Sequence, residues 1–153
     1  MKATTTNIGV RVNIEHDSIS QLSASLMAPD GTSVLLFLSP GQGCATPNLQ
    51  ITLDDDAFSS YSELINGCSE MAPAISGMFQ PGQALNIFDG QDPNGDWTLT
   101  ISDNVAGNGG TLLGAELVIS QTGGIVTFPT ENDVIAQTES DNVFTVIGID
   151  ACG

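Results

Sequence analysis

The feature that most constrains this chain is a series of short segments in which apolar and polar residues alternate. Residues 10–14 read VRVNI, and residues 97–101 read WTLTI with Trp97, Leu99 and Ile101 on one face. A period of two puts successive side chains on opposite faces of a strand, so each segment is predicted to be a half-buried β-strand. Similar patterns predict strands at 22–27, 33–38, 49–53, 84–88 and 111–120. No segment sustains the helical period, which predicts an all-β protein.

Turn-forming residues separate these strands. Pro29, Asp30 and Gly31 lie between segments 22–27 and 33–38 and predict a hairpin. Residues 57–82 are predicted to form a long loop, because a capping-box pair, Ser60 and Glu63, is followed too soon by Gly67 for a substantial helix. Strands recurring about every 10 residues indicate an antiparallel sandwich or barrel.

The charge balance excludes several classes of partner. The chain has 18 acidic residues and only two basic ones, Lys2 and Arg11, for a net charge of −16. It cannot neutralise phosphates, so direct nucleic-acid binding is not expected. Anionic membrane surfaces would repel it, and no segment has the roughly 18 apolar residues needed for membrane insertion.

The acidic residues themselves allow two interpretations. They can serve solubility in a salty medium, or some can meet at a cation site, since calcium binds about six to eight oxygen ligands. Carboxylates gather at the end of one predicted strand and around two later loops. The candidate calcium ligands are Asp54, Asp55, Asp92, Asp96 and Asp103. The competing interpretation of residues 89–96 is an ordinary turn built from Asp, Pro, Asn and Gly.

Three cysteines indicate the redox environment. Cys44 and Cys68 each lie beside a turn-rich segment and are predicted to form a disulfide, which predicts a secreted or cell-surface protein. Zinc binding is disfavoured, because the cysteines lack paired spacing and His16 is the only histidine. Cys152 is then the odd cysteine, either free or bonded to another chain.

The sequence does not predict an enzyme. A serine or cysteine nucleophile usually needs a histidine base, and His16, at a strand end, is interpreted as structural. Paired carboxylates could hydrolyse glycosides, but acidic pairs in turns are more often solvated or metal-bound. A carbohydrate-binding module is a weaker alternative, because Trp97 is assigned to the core and Tyr61 is the only tyrosine.

Several motifs, in order, resemble the P-domain of proprotein convertases and bacterial exported proteins. They are VxVxIxH at 10–16, LDDxA at 53–57, FxPxxxLxxFxG at 79–90, GxWxLxIxD at 95–103 and GTL at 110–112. The resemblance covers about residues 10–120. It implies a non-catalytic, jelly-roll-like β-sandwich of about eight or nine strands that stabilises or regulates an attached protease, or serves as a module of an exported protein.

The chain departs from the family pattern in three places. Gln21-Leu22 replaces the usual Asp-Leu pair, and Ala115 or Glu116 stands where the family has a late Trp. The family also has a strand before the one at residues 10–14, and this chain begins too late to supply it.

The C-terminal segment offers a replacement for that strand. We divide the chain into a P-domain-like sandwich at 1–123 and a C-terminal segment at 124–153, in which residues 141–149 resemble the missing first strand. This strand can dock in its own domain, giving a circularly permuted order. Alternatively it completes a neighbouring copy by strand addition, with Phe144, Val146 and Cys152 as intermolecular contacts.

Two functions follow as expectations. The first is a calcium-stabilised accessory or adhesive module of an exported bacterial protein, whose partner is a neighbouring domain of that protein. The second is a self-assembling filament or surface subunit, whose partner is another copy of itself.

Overall fold

The computed structural model describes residues 4–121 in full and the backbone of 124–130, 133–135 and 141–149. Its strands are β1 Thr5–His16, β2 Leu22–Met27, β3 Ser33–Leu38, β4 Leu49–Asp54, β5 Ile75–Phe79, β6 Gly95–Asp103, β7 Gly110–Gln121, β8 Gly124–Thr130, β9 Asp133–Ile135 and β10 Asp141–Ile149. A six-stranded sheet has the order β5-β4-β1-β7-β8, with β9 also paired to β7, and a four-stranded sheet has the order β10-β6-β2-β3. The predicted all-β sandwich is confirmed.

The core lies between the inward faces of the two sheets. Val12 and Ile14 of β1 are fully buried, and Trp97, Leu99 and Ile101 of β6 are at most 1% exposed. Trp97 meets the ring of Phe88 edge-on, with centroids 5.2 Å apart, and its indole N–H donates a 2.9 Å hydrogen bond to the carbonyl of Pro93. The assignment of Trp97 to the core is confirmed.

The prediction of a strand at residues 84–88 is wrong. Residues Leu85–Phe88 form a 3-10 helix that buries Leu85 and Phe88. The carboxylate of Asp55 accepts hydrogen bonds from the backbone N–H groups of Leu85 and Asn86, at 2.9 Å and 2.8 Å. These N–H groups therefore bond to a side chain at the end of β4 instead of a neighbouring strand.

The loop predicted at 57–82 contains two regular elements. Helix α1, Tyr61–Asn66, begins with a complete capping box between Ser60 and Glu63 and buries Leu64. Strand β5, Ile75–Phe79, pairs in parallel with β4. The capping box correctly indicated the start of a helix, although the prediction was a loop. Gly67 ends the helix after only six residues.

The disulfide between Cys44 and Cys68 is confirmed, with Cα atoms 5.4 Å apart. It joins the loop before β4 to the segment after α1. Backbone hydrogen bonds from Gly41 to Leu64 and from Gln42 to Ile65 hold the same loop to α1 itself. Cys152 lies outside the described residues.

Residues 141–149, the C-terminal strand singled out in the sequence, form β10 and pair antiparallel with β6 of the same chain. The side chains of Phe144 and Val146 lie outside the described part of the structure, so their role as contacts stays a prediction. None of the described helices has the length and apolar character to cross a lipid bilayer.

Candidate functional site

A buried histidine–aspartate pair links the two sheets at one end of the sandwich. His16 is the last residue of β1 in the six-stranded sheet, and Asp103 is the last residue of β6 in the four-stranded sheet. The imidazole Nε2 lies 3.0 Å from Oδ2 of Asp103, and both side chains are fully buried. Burying a carboxylate is costly unless it is hydrogen-bonded, so this contact holds the two strand ends together.

The other polar atoms of the pair also have partners. The backbone N–H of Ser18 donates to Nδ1 of His16 at 3.0 Å, and the backbone N–H of Val105 donates to Oδ1 of Asp103 at 3.2 Å. Because Nδ1 accepts a hydrogen bond, the imidazole is neutral with its hydrogen on Nε2, which donates to Asp103. Both ring nitrogens are engaged, so His16 has no free position with which to activate a nucleophile.

Glycine at position 110 keeps room for this pair. Gly110 is the first residue of β7 and lies opposite His16 in the sheet. A Cβ atom added there would come 2.8 Å from Cδ2 of His16 and would overlap the carbonyl oxygen of Glu15. The close approach of β7 to the end of β1 therefore requires a residue without a side chain.

The candidate ligands Asp54 and Asp55 form hydrogen bonds within the domain. Oδ1 of Asp54 accepts from the backbone N–H of Asp56 at 2.9 Å, which turns the chain at the end of β4. Both oxygens of Asp55 accept the N–H groups that begin the 3-10 helix at Leu85. These carboxylates position loops through hydrogen bonds made by the protein itself.

Of the other candidate ligands, Asp96 and Asp103 lie near opposite ends of β6. Oδ1 of Asp92 accepts hydrogen bonds from the backbone and side-chain amides of Asn94, at 3.0 Å and 2.8 Å. Asp96 is exposed near the start of β6, whereas Asp103 is buried at its end. At about 3.3 Å per residue, the backbones of Asp96 and Asp103 are roughly 23 Å apart.

In the part of the chain that the structure describes, no three His, Cys, Asp or Glu side chains are arranged so that they could hold a metal ion. The described donors therefore do not form a ready calcium cage, and the predicted site stays a prediction.

Asp89 lies near the carboxylates of Asp55 and Asp56 and was not among the candidate ligands predicted from the sequence. Asp89 is exposed, but a slight loss of solvation raises the pKa of its carboxyl group, and the nearby charges of Asp55 and Asp56 raise it further. A raised pKa means that folding disfavours the ionised form. Its contribution to stability is present below the ordinary aspartate pKa and is lost as the pH rises through the folded-state value. No local pattern could reveal this group, since Asp89 follows a different element from the other two carboxylates.

The described aromatic residues do not form a sugar-stacking face. Trp97 is buried, and Tyr61 is partly buried against the core. The Tyr61 hydroxyl accepts a 3.1 Å hydrogen bond from the backbone N–H of Leu38. Phe58 is fully exposed, but a single ring offers little area for carbohydrate recognition.

Comparison with known proteins gave one positive result. A sequence profile described as the proprotein convertase P-domain matches residues 5–119, about three quarters of the chain. The matched region runs from the start of β1 into β7 and includes His16, Asp103 and the Cys44–Cys68 disulfide. No curated protein and no solved structure gave a match.

Because the His16–Asp103 pair is buried, we expect substitutions in it to lower the free energy of unfolding. His16→Ala leaves Oδ2 of the buried Asp103 carboxylate without its hydrogen-bond donor, and we expect a loss of about 1.5–3 kcal/mol in the free energy of unfolding. Asp103→Ala removes the acceptor of the Nε2 hydrogen and is also strongly destabilising. In a double-mutant cycle measured by denaturant unfolding, we expect a coupling energy of about 0.5–3 kcal/mol.

Asp17→Ala is the matched control, because Asp17 is a neighbouring carboxylate that is exposed. We expect it to change the free energy of unfolding by less than about 0.5 kcal/mol. Strictly additive effects of His16→Ala and Asp103→Ala would contradict the proposed linkage between the sheets.

Proposed function

Because the chain belongs to the proprotein convertase P-domain family, we propose that it is a non-catalytic accessory domain of an exported protein, where it stabilises a neighbouring domain or mediates adhesion. P-domains accompany the catalytic domains of convertases and are not themselves catalytic. The observation that carries the proposal is the match over residues 5–119, combined with a histidine–aspartate pair whose polar atoms are all used within the fold.

Two observations support export. The Cys44–Cys68 disulfide is a bond that persists in oxidising compartments and is rare in reducing ones. The net charge of −16 keeps the domain soluble and limits nonspecific association, which suits a module working outside the cell.

The accessory role is tested by domain replacement. In a proprotein convertase, the native P-domain is exchanged for residues 4–149 of this chain, and the heat-inactivation temperature of the protease is measured. We expect the chimera to survive to higher temperature than the catalytic domain alone. The matched control is the same chimera with Trp97→Ala, which removes the largest core side chain and should cost about 3–5 kcal/mol in domain stability. Inactivation of both chimeras at the temperature of the catalytic domain alone would contradict a stabilising role.

We further propose that calcium stabilises the domain through the carboxylates Asp54, Asp55, Asp92, Asp96 and Asp103, or a subset of them. Two facts support this. Calcium prefers oxygen ligands. The charges of Asp55 and Asp56, which add to desolvation in raising the Asp89 pKa, repel that carboxylate, and a bound cation would relieve this repulsion.

The calcium proposal predicts a metal-specific gain in thermal stability. The unfolding temperature should rise with calcium by more than with magnesium at equal ionic strength. Asp54→Asn and Asp92→Asn are informative because an asparagine oxygen can still accept the local backbone hydrogen bond that each carboxylate makes. We expect at least one of these variants to lose part of the calcium-specific shift. Equal shifts with both metals would contradict calcium stabilisation.

A further inference from the structure

The strand β10 lies outside the family-matched region but completes the sheet of that region. The match ends at residue 119, within β7, whereas β10 spans Asp141–Ile149. Its backbone pairs antiparallel with β6 along nearly the whole length of that strand, from Gly95 opposite Ile149 to Ser102 opposite Asp141. A segment added after the P-domain region therefore covers one edge of its central strand.

The edge that β10 covers is next to the centre of the core. Strand β6 carries Trp97, Leu99 and Ile101, which are almost completely buried. It is hydrogen-bonded to β2 on one side and to β10 on the other. Without β10, the backbone of β6 would form a bare sheet edge beside the largest buried side chains, and an exposed edge of this kind is a template for pairing with another chain. The β6 edge is therefore a place where this sheet would accept a strand from a second copy.

The opposite edge of the same sheet is closed by the domain itself. At β3, Leu35 exchanges hydrogen bonds with Gln83, donating to its side-chain Oε1 at 2.6 Å and accepting from its backbone N–H at 2.9 Å. The N–H of Gly82 donates to the carbonyl of Leu36 at 2.8 Å. These contacts use the outward-facing groups of β3, so the β6 side is where this sheet can change its partner.

The connection to β10 crosses from one sheet to the other. Strand β9 pairs with β7 in the six-stranded sheet, whereas β10 pairs with β6 in the four-stranded sheet. From Ile135 to Asp141 the chain makes six residue steps, which span at most about 20–22 Å, compared with about 10 Å between packed sheets. Since β10 is the last strand described, it can leave and re-enter a sheet without drawing another described strand with it.

We propose that β10 is an exchangeable strand, which in a dimer of this chain pairs with β6 of the second copy in the register it uses within one chain. The exchanged form keeps every β6–β10 backbone pair, so the two forms differ mainly in the entropy of association and in the repulsion between acidic copies. Exchange therefore increases with protein concentration, and it increases with salt, which screens the net charge of −16 on each copy.

The test uses a disulfide between register partners. Thr98 of β6 lies opposite Thr145 of β10, so the full chain is prepared with Thr98→Cys, Thr145→Cys and Cys152→Ser. Copies labelled with ¹⁵N and unlabelled copies are mixed at several concentrations and salt levels, then oxidised and mapped by mass spectrometry. We expect a bond joining position 98 of one isotopic form to position 145 of the other, in a fraction that grows with concentration.

Three outcomes would overturn exchange. One is a bond formed within single chains at every concentration. The second is a bond between position 145 of both copies, which would indicate edge-to-edge pairing of β10. The third is an equal amount of dimer from the control with Thr98→Cys and Cys152→Ser alone, which would indicate random collision. Light scattering on the unsubstituted chain gives an independent check, since a monomer at all concentrations and salt levels would also exclude exchange.

Discussion

The hydrogen bond between His16 and Asp103 is the contact on which the arrangement of this domain most depends. It joins the last residue of β1 to the last residue of β6, and thus one sheet to the other, at 3.0 Å in a fully buried environment. Removing a partner from a buried carboxylate is destabilising. The N–H groups of Ser18 and Val105 donate the remaining hydrogen bonds to the pair. Position 110 must be glycine, because a side chain there would displace the imidazole.

This arrangement separates the domain from enzymes that carry similar residues. A histidine beside an aspartate is a familiar catalytic pairing, but here Nδ1 accepts a backbone hydrogen bond and Nε2 faces the aspartate, so neither nitrogen can serve a nucleophile. The other notable carboxylate, Asp55, holds the first turn of the 3-10 helix at Leu85. The described polar groups at these positions are used in hydrogen bonds within the domain.

Much of the fold could be predicted from the sequence because its signals are local. Alternation identified the core face of β6, the Pro29–Gly31 turn separated β2 from β3, and flanking turns indicated the Cys44–Cys68 pair. The errors arose where a distant partner decides the local structure. Asp55 turns residues 85–88 into a 3-10 helix from 30 positions away, and β5 forms because β4 offers a parallel edge. The partner of His16 is 87 positions along the chain, so no spacing rule could identify it, although the motif containing Asp103 was recognised.

The most direct test of the central claim is the tautomer of His16, measured by ¹⁵N NMR of the imidazole ring in the folded protein near neutral pH. As the chain has a single histidine, its two ring nitrogens can be assigned without ambiguity. The account predicts a hydrogen on Nε2, coupled to a buried acceptor and protected from solvent, with Nδ1 unprotonated. A ring with its only hydrogen on Nδ1, which leaves Nε2 nothing to donate to Asp103, or a ring in fast exchange with water, would show that His16 does not bridge the two sheets.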